Sequence, residues 1–154
     1  MTSRFATMPK VELHLHLEGA IPLPAMWELV QRHGGHPEVA SPADLVDRFA
    51  YTDFAHFIDT WVWKNQFLNT YEAFEYAAAA VAQHVADQHI IYAEAFFSPS
   101  DFRHYGLAPA ELALAIRRGL DQAPGTQVAL IVDLVRDTGP EAAARTFDQV
   151  AEVA

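Results

Sequence analysis

The chain has 154 residues, of which 51% are apolar and 19% charged, with 20 acidic against 10 basic side chains and a net charge of −10. This composition can build a core and excludes a disordered segment, and its acidity argues against a nucleic-acid partner because phosphate backbones would be repelled. The absence of cysteine excludes disulfides and thiolate zinc sites, so any metal must be held by histidine and carboxylate.

The first ten residues include Arg4, Pro9 and Lys10 and no long apolar run. No secretory signal or membrane span is expected there, and the expected location is cytoplasmic. Residues 11–17 alternate strictly. Val11, Leu13, Leu15 and Leu17 share one face, and Glu12, His14, His16 and Glu18 the other, which is the period of a strand. Gly19 and Pro22 stop it. Residues 24–32 read as a short helix, with Pro24 in its first turn and Gly34-Gly35 ending it. Ser41-Pro42 opens a second helix, with Ser41 as its N-cap. Thr52 is a further candidate cap, for a helix over 53–67 that carries Phe54, Phe57, Ile58 and Trp61 at helical spacing. Residues 71–89 form another helix, favoured by the run AAAAVA.

Residues 90–97 are β-branched and aromatic and close at Ser98-Pro99, so they read as a strand. Residues 108–122 are helical, with Pro109 in the first turn; the adjacent Arg117 and Arg118 belong to a solvated helix face. The nearly continuous apolar run over 128–135 predicts a parallel strand covered on both sides. Pro140 opens a last helix over 140–154. Strands alternating with helices indicate parallel βαβ units and an α/β fold. Three such strands do not close a barrel, and an open three-stranded sheet would leave edges and apolar faces bare. Residues 1–154 are therefore expected to be the N-terminal portion of a single larger domain, cut short.

His14 and His16 are the sharpest chemical feature. Residues i and i+2 of a strand point the same way, so two imidazoles converge on one point, a geometry that a single zinc accepts. A His-x-His pair alone is a weak signal, more often two polar residues on the solvent-facing side of a strand. Four polar side chains in a row within an α/β core nevertheless call for a reason.

PKVELHLHLEGAIP resembles the opening signature of the adenosine and adenine deaminases, a branch of the amidohydrolase superfamily. FAHFIDTW is similar to the segment that forms a hydrophobic lid and pocket wall over the purine in that family. IIYAEAFFSP resembles its second strand, and the spacing of the three blocks also matches. The resemblance implies a zinc-dependent aminopurine deaminase on a TIM-like (β/α)8 barrel, of which this chain covers roughly the first three strand–helix units. His14 and His16 match two metal ligands, and His16 also borders the substrate. Glu18 matches a carboxylate that meets the substrate. Phe57 and Ile58 match apolar residues beside the base, with Phe54 and Trp61 one helical turn to either side, and Trp61 is counted with the substrate wall. Zinc would lower the pKa of its bound water toward ~7. Hydroxide would then attack C6, a general acid would protonate the ring nitrogen, and ammonia would leave.

Two departures from the family pattern matter. The remaining metal ligands and the general acid lie on later strands of the family's barrel and have no counterpart here, so no catalytic acid is assigned; Glu111, Glu141 and Glu152 fall in helices. In addition, adenosine deaminases often carry Arg two residues after the strand glutamate, and usually Asp in place of Glu18. Phe96 and Glu18 at those positions lean toward adenine or modified adenosines such as aminodeoxyfutalosine.

Other residues have plainer readings. His33 and His36 bracket the Gly-Gly turn as exposed loop residues, and His56 faces solvent. His84 and His89 sit at a helix C-terminus, where positive charge is favourable. His104, after the second strand, is an ordinary loop residue or lies at the site mouth. Glu94 shares a face with Tyr92 and Phe96 and needs a partner, expected in a structural network below the metal. Asp133 either orients a ligand or pairs with an arginine. Without the resemblance, the aromatics between Tyr51 and Tyr76 would be read as helix packing. Two other functions stay open: a different hydrolase of the same superfamily, and a non-catalytic binding protein on a truncated barrel. The expected partner is a small-molecule purine, with no nucleic acid and no membrane, and the oligomeric state is not readable. Assayed alone, the 154-residue chain is expected to bind zinc weakly and to release no ammonia from aminopurines; turnover in an ammonia assay would overturn that expectation.

Overall fold

A computed structural model describes residues 5–151 and Val153; Arg4, Glu152 and Ala154, used in the reading above, lie outside the described residues. The elements are β1 (Lys10–His16), α1 (Leu23–Arg32), α2 (Pro42–Arg48), α3 (Phe54–Asn65), α4 (Tyr71–Asp87), β2 (Ile90–Phe97), α5 (Pro109–Leu120), β3 (Gln127–Val132) and α6 (Pro140–Ala151). Short 3-10 turns follow each strand, at Leu17–Gly19, Pro99–Tyr105 and Arg136–Thr138. The strands form one parallel sheet in the order β1-β2-β3. Parallel neighbours require crossovers, and here helices supply them.

Local chemistry explains most boundaries. Ser41 caps α2 in a reciprocal capping box with Asp44. Thr70 caps α4 through its hydroxyl. Asp53, not Thr52, caps α3: its carboxylate accepts from the His56 amide at 2.8 Å. Thr52 instead lies against the His56 ring, with its amide 3.3 Å from Nδ1. α4 stops at Asp87, two residues short of the expected end. His89 takes a left-handed φ of 57°, and its carbonyl accepts from the Lys10 amide at 2.8 Å, starting β1 beside β2.

The helices cover one face of β2. Ala93, Ala95 and Phe97 are fully buried there, while Tyr92, Glu94 and Phe96 on the opposite face are half-buried. Small residues on the strand let α4 and α5 approach, and Phe74, Phe102, Leu112 and Ile116 fill the layer between. β3 differs from expectation. Only Val128 is buried and residues 129–132 are half-buried, because β3 is the edge of the sheet. Val11 and Leu13 on β1 are likewise exposed, although the alternation put them on the apolar face.

α4 and α5 cross at Gly119. A Cβ there would stand 2.2 Å from the Glu75 carbonyl oxygen and 2.8 Å from the Ala78 Cβ, so two backbones meet where only glycine fits. Arg118 reinforces the crossing with a 2.8 Å ion pair to Glu75. Gly119→Ala should destabilise the fold by about 1–3 kcal/mol despite the better helix propensity of alanine. Urea denaturation measures this, and an unchanged midpoint would contradict the close crossing.

Candidate active site

The site lies where β1, β2 and β3 end. His14 and His16 are exposed on β1, with their Nε2 atoms 3.3 Å apart. β1 carries a register irregularity between Glu12 and Leu15, where it has one residue more than the facing stretch of β2. The two imidazoles converge nonetheless. Phe96, directly across the ladder from His16, stacks on His14 with ring centroids 4.4 Å apart and planes at 25°. The residue that departs from the family pattern therefore braces a histidine ring.

Two nitrogens bound to one tetrahedral zinc at ordinary Zn–N lengths stand roughly 3.3–3.4 Å apart. The His14–His16 separation of 3.3 Å fits two of its positions. Among the described residues, no group of three or more His, Cys, Asp or Glu could hold a metal ion. The chain thus brings two imidazole nitrogens to a separation that one metal ion would accept.

Beside His16 opens a cleft of about 290 Å³ lined by His16, Phe57, Ile58, Trp61, Ser98, Asp101, Asp133 and Val135. Five of the residues singled out from the sequence meet here: His16, Phe57, Ile58, Trp61 and Asp133. α3 supplies three of them by splitting its aromatics between two faces. Trp63 faces the core and is buried. Phe57, Ile58 and Trp61 face the cleft, while Phe54 is 76% exposed and stacks on Phe57. Helix packing accounts for only part of this aromatic run. Trp63 also explains His36, which is no plain loop residue: the indole Nε1 donates to its Nε2 at 3.3 Å. A buried indole N–H needs an acceptor, and His36 supplies it.

Glu18 sits elsewhere than the alternation suggested. β1 ends at His16, and Glu18 lies in the following turn, 1% exposed and outside the set of cleft-lining residues. Its Oε1 accepts from the Ser98 amide at 3.1 Å, while its Oε2 is buried with no hydrogen-bond partner among the described residues. Ser98 in turn donates from its hydroxyl to Asp133 Oδ2 at 3.1 Å. Asp133 thus meets a serine, not an arginine. Glu94 finds its partner on its own strand, the Tyr92 hydroxyl at 3.1 Å.

Burial holds the Glu18 carboxyl above the usual range, against the opposing pull of the Ser98 amide and Lys64. Asp101, at the cleft, is also raised, first by partial burial and then by the charges of Asp133 and Asp137, with His104 and Lys64 opposing. Lys64 and Asp101 are ionisable groups at this site that were missed in the sequence. Lys64 is 3% exposed, and burial pulls its ammonium down to about 7 although Glu18 and Asp101 favour its charged form. The one local signal was its place three residues after Trp61, which puts both on one helix face.

A family model described as adenosine deaminase matches residues 9–154. An aminodeoxyfutalosine deaminase from Streptomyces coelicolor is 32% identical over 144 residues, covering 92% of this chain and 37% of that protein. An adenine deaminase from Bordetella parapertussis is 31% identical over 148 residues, covering 92% of this chain and 46% of its own length. Among solved structures, an amidohydrolase from Burkholderia ambifaria with bound Zn superposes with a TM-score of 0.80 at 25% identity, over 96% of this chain and 42% of that one. The chain spans less than half the length of these relatives. The fold is accordingly that of the first strand–helix units of an amidohydrolase TIM barrel.

The position of Lys64 has a pH consequence. Between about 7 and 10.5 the unfolded chain keeps a proton that folded Lys64 has released. Stability contributed through this group should therefore rise with pH across that window and be lost as pH falls through 7. Denaturation midpoints of the wild type minus those of Lys64→Met, measured across the window, should increase; a flat or falling difference would contradict this.

Proposed function

The chain belongs to the adenosine deaminase family, and from that premise we propose that it forms the first metal-binding side of an enzyme that hydrolytically deaminates an aminopurine base or nucleoside to its 6-oxo form and ammonia. The observation that carries this reading is the convergence of His14 and His16, Nε2 to Nε2 at 3.3 Å, on the rim of an aromatic-walled cleft. His14 and His16 would hold zinc, which when bound supplies an activated water near neutral pH and a Lewis acid.

The chain's own residues do the rest of the work assigned to it. Phe57, Ile58 and Trp61 offer flat apolar surface to a purine and exclude water from its faces. His16 borders both the metal position and the base. Glu18 acts from below, fixing the Ser98 amide so that the Ser98 hydroxyl and Asp133 face the cleft in one arrangement. Its role here is support of the substrate wall, where the family pattern has a direct contact. The general acid and the remaining metal ligands belong to later strands, and residues 1–154 act as the N-terminal portion of one barrel domain.

Adenine and aminodeoxyfutalosine are the substrates best supported. Relatives at 31% and 32% identity carry those names. Glu18 and Phe96 stand where adenosine-specific members usually carry Asp and often carry Arg. A cytoplasmic location is proposed with this small-molecule chemistry; no helix among the described residues is long and apolar enough to cross a membrane.

The test is ammonia release by the full-length protein from adenine, adenosine and aminodeoxyfutalosine, with metal content measured alongside. Turnover of at least one is expected. His14→Ala and His16→Ala should each lower zinc stoichiometry and cut kcat by more than the roughly 10–100-fold that outer-sphere substitutions cost. A zinc-loaded protein inert on all three would end the deaminase reading and favour a binding role.

A further inference from the structure

We infer that Lys64 is a positioning residue for the cleft: its buried ammonium clamps the Trp61 ring as the wall on which the substrate's base lies. The inference rests on the reading of the cleft as an aminopurine site.

Trp61 is enclosed on several sides. Lys64, three residues along α3, places Nζ 3.5 Å from the centre of the ring. His16 meets the ring edge-on, with centroids 6.0 Å apart and planes at 87°. Gly19 approaches so closely that a Cβ there would stand 3.0 Å from the indole. Phe57 closes a further side at 6.0 Å between centroids. Of these four contacts, the one from Lys64 is the only one that sets an ammonium over the ring face. A cation on an indole face is worth most when water is excluded, and Lys64 is 3% exposed.

Lys64 does not line the cleft, so it acts through Trp61. It is itself pinned, donating from Nζ to Asn65 Oδ1 at 2.9 Å and attracted by Glu18. An apolar side chain of similar length would fill the same volume without the cost of burying a charge. What that side chain would not do is hold the indole by its face. Without the ammonium, packing alone would restrain the ring, and the cleft wall would have more than one arrangement.

The experiment uses the full-length protein below pH 7, where buried Lys64 keeps its proton. Lys64→Met keeps the stem and removes the charge, and Lys64→Arg keeps a cation over the ring. Lys64→Met should raise KM for the aminopurine about tenfold with kcat within about twofold, and Lys64→Arg should recover most of the loss. Fluorine NMR of protein labelled with 5-fluorotryptophan, with the Trp61 signal assigned by Trp61→Phe, reads the ring directly. That signal should broaden or split in Lys64→Met and return to its wild-type form in Lys64→Arg. The double variant Glu18→Gln/Lys64→Met removes both buried charges, so no unpaired ion limits folding, and it should show the same Trp61 signature. An unchanged Trp61 signal in a folded methionine variant, or a fall in kcat with KM unmoved, overturns the inference. If the wild type deaminates no aminopurine, the proposed function fails and the fluorine signal alone decides the clamp.

Discussion

Ser98 joins the ends of all three strands. Its amide donates to Glu18, just past β1, and its hydroxyl donates to Asp133, just past β3, each at 3.1 Å. The parallel ladder continues one step beyond the regular strands, with the Asp133 amide donating to the Phe97 carbonyl at 2.8 Å. Hydrogen bonds to charged groups contribute about 1.5–3 kcal/mol each, and a buried carboxylate deprived of a donor costs more. The cleft is lined by residues from these same ends, so its shape depends on this junction. A parallel sheet makes such a junction possible because all its strands deliver their C-terminal ends to one side.

The histidine pair was legible because a strand has a period of two, and that period survives the local slip in β1. The slip itself has no sequence signature, since the extra residue shows only against the partner strand. The same limit applies to Glu18. Alternation continued through Leu17 and Glu18 as letters, but the backbone had already turned at His16. A 3-10 turn of three residues is too short to break a pattern. Its effect is large nonetheless, since it takes Glu18 from the polar face into the interior.

α3 shows the converse. Its aromatics read equally as core or as pocket, because spacing gives a helix face but not what the face meets. The structure divides them, with Trp63 inward and Phe57, Ile58 and Trp61 toward the cleft. The deciding contacts are tertiary: His36 accepts from Trp63 across 27 positions, and His16 meets Trp61 from another element. No local pattern encodes either. The family resemblance carried that information because it reports on the assembled fold.

Burial pushes Glu18 and Lys64 in opposite directions, the carboxyl up and the ammonium down, and each lessens the shift of the other. Both shifts run toward the neutral forms, so desolvation outweighs the mutual attraction. A pair in that condition is a poor source of stability. Its placement makes sense through what each member touches. Glu18 fixes Ser98 and Lys64 covers Trp61, and both of those residues line the cleft. The two groups thus lie one layer beneath the cleft surface, where one holds the Ser98 amide and the other an aromatic face. Water would otherwise compete for both groups, and its exclusion is what gives a single hydrogen bond and a single ring contact enough strength to hold a surface in place.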